Sequence, residues 1–171
     1  PALSGPQFSY HMNTATSLPT DSRLDGLSAS ATRRINAAAQ ALSLGRVIDA
    51  ESRLNGLIAV YPEHPEVLRM CAGLQSLRGD FYGALAIMQR AIALRPNDAA
   101  FWSSLGSALI EAARYDDAIE ALQRACELDP DYTTAWYNLG LALIRCMRVD
   151  EATAALRRAI AHAPDQSVNA R

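Results

Sequence analysis

Two five-residue stretches decide the fold: Trp102-Ser103-Ser104-Leu105-Gly106 and, 34 residues later, Trp136-Tyr137-Asn138-Leu139-Gly140. A second pair is related by the same step, Ala121-Leu122-Gln123-Arg124-Ala125 and Ala155-Leu156-Arg157-Arg158-Ala159. Because different residue types share one period, the similarity indicates a repeated structural unit.

The same period extends through most of the chain. Prolines and alanines recur at 34-residue intervals, at Pro62, Pro96, Pro130 and Pro164 and at Ala50, Ala84, Ala118 and Ala152. This register predicts a domain over 31–166 made of four repeats: 31–64, 65–98, 99–132 and 133–166.

Each repeat is predicted to fold as two helices of about 14 residues. In the third repeat Trp102, Leu105 and Leu109 follow helical spacing, and Ala118, Leu122 and Ala125 do so again after a break. The breaks are short turns at Gly45-Arg46, Gly79-Asp80, Ala113-Arg114 and Met147-Arg148. Gly at the first turn position favours a left-handed helix end, and the periodic proline stops the second helix. We expect Gly106 and Gly140 to oppose Ala118 and Ala152 where the two helices cross.

Each unit resembles a tetratricopeptide repeat, a family whose pattern is W-x2-L-G followed by a small Ala, a second Ala and Pro. The resemblance implies an all-α fold, a right-handed α-solenoid of antiparallel helix pairs. The first two repeats depart from the pattern, with Leu68, Cys71 and Ala72 in the second and Arg34 at the tryptophan position of the first. A polar residue at Arg34 suits a terminal repeat, which has no preceding neighbour to pack on.

Composition excludes several classes of function. A net charge of −2 disfavours binding to a nucleic-acid backbone, and no apolar run is long enough to insert into a membrane. Three unpaired cysteines without metal-ligand spacing predict buried thiols and no metal site. All sixteen basic residues are arginine, which favours a bacterial source, and the lack of an export signal predicts a cytoplasmic protein.

No motif in the chain predicts catalysis or a cofactor. Nucleophile-elbow, phosphate-loop and zinc-protease motifs are missing. His11, His64 and His162 lie too far apart in a repeat array to share a site. The acidic pairs Asp116-Asp117 and Asp150-Glu151 are interpreted as helix-start residues rather than as a general acid and base.

The resemblance further implies a concave groove, lined by the first helix of each repeat, that binds a protein or peptide segment. The positions carried over from the family are Arg69, Met70, Ser103, Ser104, Ser107, Thr134, Tyr137, Asn138, Leu141 and Arg145, with Glu66, Gly73, Ile35 and Ala39 beside them. Arrays that bind the C-terminal carboxylate of heat-shock chaperones use paired cations, which this register does not supply, so that ligand is disfavoured.

The two ends leave alternatives open. Residues 1–30 lack the period and are predicted to form a tail, which one hypothesis places in a groove. His11-Met12 resembles a cloning junction, so residues 1–11 are either vector-derived or native. Residues 167–171 start what resembles a fifth repeat. An uncovered face around Leu156 and Ile160 then predicts either a longer chain or self-association into a homo-oligomer.

The sequence leaves two functions open. The first is a non-catalytic interaction scaffold that binds a peptide or protein segment in the concave groove. The alternative is a substrate-recruiting arm at the N-terminal side of a larger bacterial enzyme, of glycosyltransferase or sulfotransferase type, whose catalytic domain is not in this chain.

Overall fold

A computed structural model describes residues 24–162, which form eight α-helices and no strand. The helices are α1 (Ala29–Ser43), α2 (Val47–Val60), α3 (Pro65–Leu77), α4 (Phe81–Leu94), α5 (Ala99–Glu111), α6 (Tyr115–Leu128), α7 (Thr133–Arg145) and α8 (Val149–Ala161). Each predicted repeat contributes one pair, of which α1, α3, α5 and α7 are the first helices. The predicted all-α solenoid is confirmed.

The turn inside each repeat has the same left-handed geometry. Its first residue has a positive φ in all four repeats: 67° at Gly45, 80° at Gly79, 57° at Ala113 and 59° at Met147. The backbone closes each helix with the paired bonds of a Schellman motif, such as Gly45 N to Leu42 O at 2.9 Å and Arg46 N to Ala41 O at 2.8 Å. The predicted left-handed helix end is therefore confirmed at Gly45 and Gly79, and Ala113 and Met147 adopt it without glycine.

The tryptophan of the repeat ties its helix to the preceding turn. Trp102 Nε1 donates to the Pro96 carbonyl at 2.7 Å, and Trp136 Nε1 donates to the Pro130 carbonyl at 2.8 Å. In the first repeat Arg34 lies over Gly56 of α2 and donates to the Arg53 carbonyl at 2.9 Å. Arg34 thus packs within its own repeat.

The two helices of the third repeat, and those of the fourth, approach closely at a glycine. A Cβ added to Gly106 would lie 2.4 Å from Leu122 Cγ, and one added to Gly140 would lie 2.6 Å from Leu156 Cγ. Gly106 and Gly140 were expected to face Ala118 and Ala152. This expectation was wrong in part, because each glycine accommodates a leucine that lies one helical turn after that alanine. Leu156, predicted to be uncovered, packs here against its own repeat.

Successive repeats share their cores. The first helices α3, α5 and α7 each contact both helices of the preceding repeat, and three clusters of buried residues join neighbouring repeats. Phe101 of α5 is completely buried in a cluster with Met88 of α4 and Leu68 of α3. Stability is therefore shared along the array, as expected for a repeat protein.

The ordered array begins before residue 31. Leu24 and Leu27 pack against the core of the first repeat, and Ser28 caps α1 by accepting a bond from Ala31 N at 3.2 Å. His64 Nε2 lies 3.0 Å from the Asp25 carbonyl. The predicted tail boundary at residue 30 was therefore too late. The expectations for the remaining tail, for Pro164 and for 167–171 lie outside the described residues.

No helix within 24–162 has the length and apolar character needed to cross a bilayer.

The close crossing of α5 and α6 predicts that Ala118→Leu destabilises the array. Ala118 is fully buried, so the larger side chain must displace α5, at a cost of about 1–3 kcal/mol. Denaturant unfolding should show this loss, whereas Ala86→Leu on the exposed face of α4 should change stability little. Wild-type stability of Ala118→Leu would contradict the described packing.

The left-handed turns predict that Ala113→Gly stabilises the protein. Ala113 has a φ of 57°, a conformation that costs a residue with a Cβ about 1–2 kcal/mol. Glycine removes this strain but loses more entropy on folding, so we expect a net gain of about 0.5 kcal/mol. Gly45→Ala, the reverse change at the equivalent turn, should destabilise. If Ala113→Gly and Gly45→Ala changed the free energy of unfolding in the same direction, the strain argument would be refuted.

Candidate functional site

The first helices form a continuous layer on one side of the array. Contacts join α1 to α3, α3 to α5 and α5 to α7. The Arg69 side chain reaches from α3 to α5 and donates to Ser104 Oγ at 3.4 Å. The Ser104 hydroxyl in turn donates to the Ala100 carbonyl at 2.8 Å. The candidate site, here called the concave surface, comprises the residues of α3, α5 and α7 on this side.

A buried ion pair lies at the α3 end of the concave surface. Arg69 contacts both carboxylate oxygens of Glu66, at 2.9 Å and 2.5 Å, and the two side chains are only 11% and 7% exposed. The opposite charges of the two side chains neutralise each other, and the guanidinium binds the carboxylate through both of its oxygens. This end of the surface therefore offers little free charge to a ligand.

Two of the predicted groove residues belong to the core. Met70 is fully buried in the cluster between the first two repeats, and Ser103 is 2% exposed. Ile35 and Glu66, predicted to lie beside the groove, are buried as well. Their side chains cannot reach a ligand in this arrangement, because the neighbouring helices close over them, and we remove Met70 and Ser103 from the site.

The remaining predicted residues are at least partly exposed. They are Arg69, Gly73 and Ala39 on the first two repeats, Ser104 and Ser107 on α5, and Thr134, Tyr137, Asn138, Leu141 and Arg145 on α7. Tyr137 is the one aromatic residue in this set, and it is 49% exposed. The Asn138 side chain makes no hydrogen bond to any described residue. The accessible part of the surface therefore lies mainly on α5 and α7.

Two polar residues that the sequence pattern did not reveal lie between α3 and α5. Ser76 Oγ and Glu111 Oε2 are inaccessible to solvent and have no hydrogen-bond partner of good geometry within 24–162. Burial raises the pKa of Glu111, and the nearby Ser76 hydroxyl partly offsets this rise. An acidic residue at the end of a helix was the sequence signal that could have revealed this pair.

Two concavities among residues 24–162 differ in kind. A cavity of about 10 Å³, lined by Arg69, Ser76 and Ser104 among others, lies under the concave surface and is large enough for about one water. An open cleft of about 620 Å³ lies at the inter-repeat turns, lined by residues 95–100 and by Leu128, Asp129 and Tyr132.

The cysteines and histidines do not form a reactive cluster. Burial raises the pKa of Cys71 to about 11 and that of Cys126 to about 12, so both thiols are protonated at neutral pH. His162 pairs with Asp131 at 3.0 Å, far along the array from His64. Within the described residues no three His, Cys, Asp or Glu side chains are placed to bind a metal ion.

The stacked helix pairs define an α-solenoid repeat protein. Family models support a more specific assignment: tetratricopeptide repeat models match residues 34–108 and 134–165, and a TPR repeat model matches 106–145. These matches together span most of the chain, which belongs to the tetratricopeptide repeat family.

Solved structures share the fold. MamA superimposes with a TM-score of 0.62 at 22% identity, covering 77% of both chains, and a MamA RS-1 ArsTM double mutant with 0.61 at 23%, covering 80% of this chain and 77% of that one. A Thermobaculum terrenum O-GlcNAc transferase mutant has a TM-score of 0.62 at 29% identity, covering 67% of this chain but 22% of the transferase. No curated protein sequence matches the chain.

The buried ion pair predicts a large effect of removing one partner. Arg69→Leu leaves the Glu66 carboxylate buried and uncompensated, which should cost about 3 kcal/mol of unfolding free energy. The double change Glu66→Leu with Arg69→Leu should cost less than Arg69→Leu alone. At the exposed pair Arg124–Glu127, Arg124→Leu should cost under about 1 kcal/mol. Equal losses for the two arginine variants would contradict the described burial.

The raised pKa of Glu111 predicts a pH-dependent gain in the variant Glu111→Gln. A carboxyl whose pKa is higher in the folded state destabilises the fold when ionised, and this effect disappears below the unfolded-state pKa of about 4.3. Glu111→Gln should therefore be more stable than wild type at pH 7 and no more stable below about pH 4. Denaturant titrations at both pH values measure this, with Glu120→Gln as the exposed control. A loss of stability at pH 7 would contradict the assignment.

Proposed function

We propose that this chain is a non-catalytic interaction module that binds an extended segment of another polypeptide along α5 and α7. Tetratricopeptide repeat domains are generally non-catalytic and generally bind proteins or peptides, and this chain belongs to that family. The observation that carries the proposal is the Asn138 amide, which has no hydrogen-bond partner among residues 24–162 and follows Tyr137, which is 49% exposed.

The chemistry of these groups suits a peptide backbone. An asparagine side chain donates and accepts at once, so it can pair with both the N–H and the C=O of one extended residue. Ser104 and Ser107 on α5 add hydroxyl groups that are uncharged. Tyr137 offers a rigid aromatic face whose ordering costs little entropy.

Charge also favours a polypeptide over a nucleic acid. The chain carries a net charge of −2, and Arg69 on the concave surface is already paired with Glu66. A nucleic-acid ligand would instead need several cations free to displace counterions from phosphates.

A peptide-display selection tests the proposal directly. Random 12-residue peptides would be selected on the immobilised protein, and the dissociation constants of the enriched peptides measured with purified variants. Tyr137→Ala with Asn138→Ala should weaken binding roughly tenfold or more, since both central contacts are lost. The matched control is Tyr82→Ala with Asn55→Ala, which removes the same residue types from exposed positions on second helices. Equal effects of both pairs would exclude the concave surface as the site.

The transferase likeness favours a second candidate, a recruiting arm of a larger enzyme. The matched structure contains a comparable array within an O-GlcNAc transferase, of which this chain covers 22%. In that case the same concave surface would deliver a polypeptide substrate to a glycosyltransferase or sulfotransferase domain. Sequencing the gene beyond the codon for Arg171 tests this candidate, because a following catalytic domain supports it and an immediate stop codon excludes it.

Self-association and a cytoplasmic location stay predictions. Ile160 on α8 is 76% exposed, as the homo-oligomer hypothesis requires. If this face joins two copies, light scattering should show a mass that rises with concentration and returns to that of one chain in Ile160→Glu. A mass that stays at that of one chain over the whole concentration range would exclude the oligomer.

A further inference from the structure

Glu111 occupies a position that is unfavourable for an acidic side chain. It is the last residue of α5, and the C-terminal end of a helix carries a partial negative charge that disfavours an anion. The equivalent last residues of the other first helices are Ser43, Leu77 and Arg145, none of them acidic. An uncompensated breach of a local rule is expected chiefly at functional sites.

The surroundings of Glu111 do not compensate the charge. No cationic group of the described chain forms an ion pair with it, and Oε2 accepts no hydrogen bond of good geometry. Ser76 Oγ, on the adjacent end of α3, is likewise buried, and its hydroxyl is close enough to Glu111 to lower the pKa of that carboxyl, but the two groups make no hydrogen bond of good geometry. Buried polar atoms are nearly always well satisfied in native proteins, so a carboxylate whose nearest donor is a poorly placed neutral hydroxyl lacks a strong donor.

The missing donor is best supplied by a cation. A lysine ammonium has three N–H donors and an arginine guanidinium five, enough to satisfy both oxygens, and bonds to a charged donor are about twice as strong as neutral ones. An anion would be repelled. A divalent metal ion would need several more oxygen ligands than this carboxylate and hydroxyl provide.

The location connects this pair to the proposed groove. Ser104, Ser107 and Glu111 are spaced at i, i+3 and i+7 along α5, so they share one helix face. A segment that contacts the two serines therefore passes Glu111 one turn further on. Rotation about the last side-chain torsion of Glu111 is soft, so either oxygen can turn towards the ligand.

We propose that Glu111, supported by Ser76, forms a subsite for a lysine or arginine side chain of the bound segment. This inference rests on the proposed peptide-binding function and adds a charge requirement to it. The partner segment is thus basic at one defined position and free in sequence elsewhere.

The test uses the selected 12-residue peptides and variants in which their basic residue is neutralised. Lysine is replaced by norleucine and arginine by citrulline, and the ratio of the two dissociation constants is measured. Wild-type protein should show a ratio of about tenfold or more, as for other buried charge pairs, and Glu111→Gln should bring it close to one. Ser76→Ala should lower the ratio in part. Glu120→Gln, an exposed acid on α6, should leave it unchanged.

The outcomes separate this inference from the proposed function. Peptides that depend on Tyr137 and Asn138 but show no basic position, or keep the same ratio in Glu111→Gln, would overturn the inference and leave the groove intact. A failure to select any peptide that depends on Tyr137 and Asn138 would overturn both. Melting curves of Glu111→Gln and Ser76→Ala verify that each variant is folded before its ratio is compared.

Discussion

The close crossing of the two helices within each repeat is the constraint on which the array depends. At Gly106 and Gly140 there is no room for even a Cβ, because a leucine of the second helix fills that space. Because the helices pair tightly, the small side chains of Ala118 and Ala152 are fully or nearly fully buried. Each pair then presents a flat apolar side to the next repeat, so that stacking completes a core that no repeat can form alone.

Contacts between first helices determine which residues a ligand can reach. Where α3 and α5 meet, the surface is closed by the Glu66–Arg69 pair and by Ser104. At α7 no further first helix follows within the described residues, and Tyr137 is about half exposed. The accessible polar groups are therefore concentrated on α5 and α7, which is why the proposed site lies there.

Most of the fold could be predicted from spacing because each signal is local. The 34-residue step located every helix pair, and glycine at the turn predicted the left-handed residues Gly45 and Gly79, although not those at Ala113 and Met147. Burial of groove positions is not local. Met70 and Ser103 occupy family groove positions, yet neighbouring helices enclose them, which depends on side chains in other repeats. Ser76 and Glu111 were missed for the same reason, since they meet only when two repeats stack.

In the proposed function, the concave surface of α5 and α7 receives a polypeptide segment. Amide chemical-shift mapping of the isotope-labelled protein during titration with a selected peptide would locate the bound segment residue by residue. We expect saturable shifts centred on Ser104, Ser107, Tyr137 and Asn138, with Glu111 included for peptides that carry a basic residue. Shifts centred instead on the second helices, or on the cleft between Arg95 and Tyr132, would refute binding at the concave surface.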